Sequence, residues 1–131
     1  MKVIFKPGDK KQYRRIIEPA DEASFNNQPV HHVYATFSLA RDAEWTTRQF
    51  VLDMIDSDEE GIGTFLSVEH KSPAFVGEEV VFTAWVDHID GNELTCFFEA
   101  RVDAWLFSLG RTGQKILRKE NLDRIFQRSE D

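Results

Sequence analysis

The chain has 131 residues, a net charge of −7 at neutral pH and 41% hydrophobic residues, Phe 11 among them. That length supports one core, so a single domain over residues 1–131 is expected. The excess of acid argues against general nucleic-acid binding, and no segment approaches the roughly 18 apolar residues of a membrane-spanning helix. Met1 to Lys6 lacks the apolar run of a signal peptide, and one cysteine excludes an internal disulfide framework, so the expected setting is a reducing cytoplasm.

Residues 1–13 read as a loose lead-in segment, and Gln12 to Glu18 as a strand. Residues 19–30 are polar and turn-rich, and read as a lid-like loop. Val33 to Thr36 is a short extended stretch before an amphipathic helix over Ser38 to Asp56, with Ser38 as N-cap and Thr36 competing for that place. At 100° per residue, Asp42, Gln49, Asp53 and Asp56 fall together as the solvated face. Leu39, Ala43, Phe50 and Met54 form the inward stripe. Opposite the acids lie Ala40, Thr47, Val51, Ile55 and, out of character, Glu44. A lone carboxylate among apolar groups is costly unless it is paired, hydrogen-bonded or protonated, so Glu44 is a candidate for a raised pKa and a catalytic task.

The acidic run and Gly61 to Gly63 end the helix, and Gly63 to Lys71 reads as a strand. Its alternation puts Thr64, Leu66, Val68 and His70 on one side and Phe65, Ser67, Glu69 and Lys71 on the other. His70 therefore faces inward. An inward histidine is more often a satisfied core residue than a catalyst, but two inward ionisable groups in one small domain favour a site. Strands follow over Glu78 to Ile89, Glu93 to Val102 and Trp105 to Gln114, with turns at Asp90-Gly91 and Asp103-Ala104, and 119–127 reads as a short terminal helix. Cys96 alternates with Leu94, Phe98 and Ala100, which makes it a buried, inert thiol. The fold expected is α+β, a long helix wrapped by a curved four-stranded antiparallel meander, which is the hotdog arrangement.

The segment Val33-Tyr34-Ala35-Thr36, then Glu44-Trp45, Gly63-Thr64, Val68-Glu69-His70 and Gly77, resembles the fluoroacetyl-CoA thioesterase family of hotdog proteins. The resemblance runs over about residues 12 to 126. It implies a catalytic set of Thr36, Glu44 and His70, with Gly63 at the start of the histidine strand beside the acyl group. It implies hydrolysis of a small acyl-CoA or related acyl thioester, coenzyme A being part of the substrate and no other cofactor being needed. The family's fluoroacetyl-specific members close their pocket with lid phenylalanines, where this chain has Asn27 and Val30 with Phe25 nearby. Val30 is thus a substrate-contact candidate, and the departure removes any implied selectivity for a fluorinated acyl group.

These residue types suit the reaction. Glu44 can attack a thioester carbonyl or activate water, His70 can take and return a proton, and the Thr36 hydroxyl can position either reactant. Arg111 and Lys115, in a basic C-terminal quarter, are candidates for coenzyme A phosphates, with solvated strand cations as the bland alternative. His31, His32 and His88 lack metal-ligand spacing, so no metal is expected. Bare strand edges argue for a homodimer or higher homo-oligomer, with Glu44 and His70 meeting at or near the interface. The alternative function is a non-catalytic hotdog protein that binds an acyl thioester or a protein partner.

Overall fold

Thr36–Met54 forms the long helix α1, which starts and ends two residues before the apolar period suggests. The computed structural model describes residues 1–25 and 28–128, the side chains of 25, 28–31 and 128 excepted. Neither Ser38 nor Thr36 caps α1; its N-cap is Ala35, which offers no side-chain oxygen. Asp56 leaves the helix to accept from the Met1 ammonium at 2.6 Å. Leu39, Ala43, Phe50 and Met54 are fully buried, as their spacing predicts. Burying each of the larger ones stabilises the fold by about 1.5–3 kcal/mol.

The chain otherwise forms β1 (Lys10–Ile16), β2 (Glu22–Phe25), β3 (Gln28–Tyr34), β4 (Glu59–His70), β5 (Glu79–Asp90), β6 (Glu93–Val102), β7 (Trp105–Arg118) and a terminal helix α2 (Lys119–Arg128). The main sheet is antiparallel, five-stranded and ordered β1-β5-β6-β7-β4. This corrects the expected four-stranded meander. Only β5, β6 and β7 follow one another; β4 returns to the far edge against β7, and β1 occupies the other edge. Glu59 and Glu60, expected to close the helix, instead open β4, opposite Arg118 and Leu117. Both hairpin turns hold two residues: Gly91 takes φ +60° between Asp90 and Glu93, and Asp103 takes φ +51° between Val102 and Trp105.

Two further expectations change. The lead-in is shorter, because Lys10 and Lys11 already pair with Trp85 and Ala84. The segment expected as a loop, 19–30, holds a short 3₁₀ turn (Pro19–Asp21) and β2, which pairs with β3 in a two-stranded ribbon. Polar composition hides such a ribbon, since its anchor, the buried Tyr34, bonds to Asp42 of a distant segment. Asn27, and the side chains of Phe25 and Val30, lie outside the described residues.

The core lies between α1 and the inner sheet face, where Phe82, Phe98, Phe107 and Leu94 are buried with Cys96. Asp42 is the largest departure from the helical wheel. It is 4% exposed rather than solvated, because Arg15 and Arg41 reach it.

Candidate active site

The helix α1 runs antiparallel to β4 across its inner face. Thr36 lies by His70, Glu44 by Gly63, and Arg48 donates to the Gly61 carbonyl at 3.1 Å and to Glu60 at 3.0 Å. Two spots result, separated by eight helical residues, or about 12 Å of axis.

At the first spot the Thr36 hydroxyl and His70 Nδ1 share a hydrogen bond of 2.9 Å. The His70 ring packs on Phe107, centroids 6.0 Å apart. Burial pushes its pKa below 6.5, while a backbone contact at Ser72 works the other way. The imidazole is therefore neutral at physiological pH. Its Nε2 is buried and makes no hydrogen bond among the described residues. For that nitrogen to act as a base, Nδ1 must carry the proton and donate it to the Thr36 oxygen.

At the second spot Glu44 is half-buried rather than enclosed. A methyl group on Gly63 would stand 2.5 Å from Glu44 Oε1, so the missing side chain is what admits the carboxylate. Beneath it, the buried Gln114 donates to Thr47 Oγ1 at 2.9 Å, and the Thr47 hydroxyl donates to the Glu44 carbonyl at 3.0 Å. This pair holds the turn that carries Glu44. Above it runs an open groove of about 480 Å³ lined by Phe37, Ala40, Arg41, Glu44, Trp45, Arg48 and Leu66. The helix wheel missed this stripe: Phe37 is 81% exposed, and Trp45 and Leu52 also face out.

Thr36 and His70 thus meet, and Glu44 and Gly63 meet, but the two pairs stay apart within one chain. Arg111 lies elsewhere. Its neighbour Thr112 is buried on the helix side, so Arg111 projects from the outer sheet face, paired with Asp87 at 2.9 Å and 5.0 Å from the Phe97 ring centre. Lys115 stands exposed opposite Glu93 in the ladder. Strand alternation around Thr112 and Gln114 was the available signal for the outward facing of Arg111.

A single long helix laid on a large antiparallel sheet is the hotdog architecture. The family model described as fluoroacetyl-CoA-specific thioesterase matches residues 17–120, and the chain belongs to that family. No curated protein matches the chain. Among solved structures, a thioesterase superfamily member of Thermus thermophilus is 29% identical, with 95% of this chain and 93% of that one covered and a TM-score of 0.90. A point mutant of the fluoroacetyl-CoA-specific thioesterase FlK, in complex with fluoroacetate and CoA, is 18% identical over 90% of this chain and 99% of that one, with a TM-score of 0.83. A hot-dog-like protein of Thermanaerovibrio acidaminovorans is 17% identical over 95% and 93%, with a TM-score of 0.86.

Proposed function

We propose that the chain hydrolyses a small acyl-CoA thioester with Thr36, Glu44 and His70. The observation that carries this reading is the Thr36–His70 hydrogen bond, which leaves a buried Nε2 without a partner among the described residues. Glu44 supplies the carboxylate: it attacks the carbonyl carbon to form an anhydride, or draws a proton from the water that attacks. The C–S bond breaks and coenzyme A leaves as a thiolate that takes up a proton. Where an anhydride forms, His70 Nε2 takes a proton from the attacking water, the anhydride C–O bond breaks to free the acid product and the Glu44 carboxylate, and His70 passes the proton to solvent, which also protonates the thiolate. The apolar groove beside Glu44 suits an acyl group, and Lys115 and Arg111 are the proposed phosphate contacts, Lys115 being the more accessible.

The separation of the two pairs supports the expectation of a homodimer. β4 is an open edge. Antiparallel pairing of two β4 edges, centred between Leu66 and Ser67, sets Gly63 opposite His70 of the second copy. Glu44 of one chain then faces the histidine of the other. A cytoplasmic setting is part of this reading.

The test is thiol release from a panel of short acyl-CoA thioesters. Glu44→Gln should abolish turnover, and His70→Ala should lower it by about 10²–10⁴-fold, both with melting temperatures near that of the wild type. Full activity per folded molecule in either variant would remove the assignment.

A further inference from the structure

A buried ionic cluster sits beside the start of α1 that has no side-chain cap. Asp42 accepts from Arg15 Nη1 at 3.0 Å, from Arg41 Nε at 3.1 Å and from the Tyr34 hydroxyl. Asp21, 3% exposed, accepts from Arg41 Nη2 at 3.0 Å, from Arg15 Nη2 and from the Glu18 N–H at 2.9 Å. The members come from β1, the 3₁₀ turn, β3 and α1. Such a cluster is a poor source of stability, because desolvation offsets the attraction, so its use lies in what it holds in place.

It holds the backbone next to Thr36. The Tyr34 ring is fully buried, and burial keeps its hydroxyl protonated as a donor to Asp42. The Tyr34 N–H donates to the Ala74 carbonyl at 2.8 Å. The Ala35 N–H donates to the carbonyl of Asp21 itself at 2.8 Å, and the Ala35 carbonyl accepts the first helical bond from Leu39. Thr36 comes next and is exposed, so packing does not set its place. Its hydroxyl nonetheless stands 2.9 Å from His70 Nδ1.

We infer that Arg15, Asp21, Asp42 and Tyr34 are positioning residues, whose cluster fixes the helix start so that the Thr36 hydroxyl meets the His70 ring. The kinetic side of this inference rests on the proposed thioesterase site; the geometric side does not.

Two measurements on Tyr34→Phe separate the two. The substitution keeps the ring and removes only the hydroxyl, leaving Asp42 its arginines. Nitrogen resonances of the His70 ring should move away from wild type, in the direction seen for Thr36→Val. Unmoved resonances in a folded Tyr34→Phe protein would overturn the inference, whatever the kinetics. In thiol release, kcat should fall about tenfold at an unchanged KM, and the substitution should cost nothing more in a Thr36→Ala background. Equal, multiplying losses in both backgrounds would mean a general structural defect and would also overturn it. Moved resonances with no kinetic effect of either Tyr34→Phe or Thr36→Ala would leave the positioning intact and reject the proposed role of Thr36 instead. Asp42→Asn repeats the resonance measurement from the other side of the same hydrogen bond.

Discussion

At the N-terminal end of α1, the Thr36–His70 pair is tied through backbone and side chain to two buried acids and a buried tyrosine with the arginines that reach them. Two turns on, Glu44 lies half-exposed against Gly63, under an open apolar groove. The first place is set by the chain's own wiring. The second is set by an absence, the missing side chain at Gly63, and by whatever lies in the groove. Position is therefore costly to change at one end, and room is costly to change at the other.

The sharpest way to break the second end is Gly63→Ala. Gly63 does not use a positive φ, so the backbone tolerates alanine, but the new methyl lands on the Glu44 carboxylate. Thiol release should fall by about 10²-fold while the melting temperature holds or rises slightly. Unchanged activity would show that Glu44 has room to spare. The first end responds to pH. Burial holds His70 below 6.5, so the acid limb of the rate profile should lie below 6.5. Stability carries the same sign. Between 6.5 and the folded value the unfolded chain binds the extra proton, so the contribution of His70 is present above 6.5 and is lost as pH falls. The melting temperature of the wild type should therefore fall relative to that of His70→Gln as pH drops below 6.5; a difference that does not change with pH would contradict the burial. The smallest effect belongs to Thr36→Ser, which keeps the hydroxyl at the wired end and should cost less than about twofold in kcat. A loss as large as that of Thr36→Ala would mean that the methyl, not the hydroxyl, matters.

Much of the fold was legible from periodicity. The bounds of Glu93–Val102 and the inward set Leu39, Ala43, Phe50 and Met54 follow from alternation and helical spacing, because each element buries one face. The place of β4 was not legible, since strand order depends on how the chain returns after α1. Asp42 misled for a related reason. A helical wheel assigns a charge to water, and its partners Arg15 and Tyr34 lie in other segments that only the fold assembles. The inward facing of His70 could be read from its strand, whereas its hydrogen bond with Thr36 could not: the family resemblance implied that both belong to one catalytic set, and no local pattern showed that they touch.

Cys96 has a practical consequence for every assay named above. It is the only cysteine, it is 1% exposed, and burial with the nearby Asp87 charge pushes its thiol up to about 12. A folded enzyme therefore adds no thiol signal of its own to a colorimetric count of released coenzyme A. Each molecule that unfolds adds one reactive equivalent. The same reagent thus reads product as a steady slope and denaturation as a step bounded by the protein concentration, which gives every variant an internal control for folding in the cuvette that measures its rate.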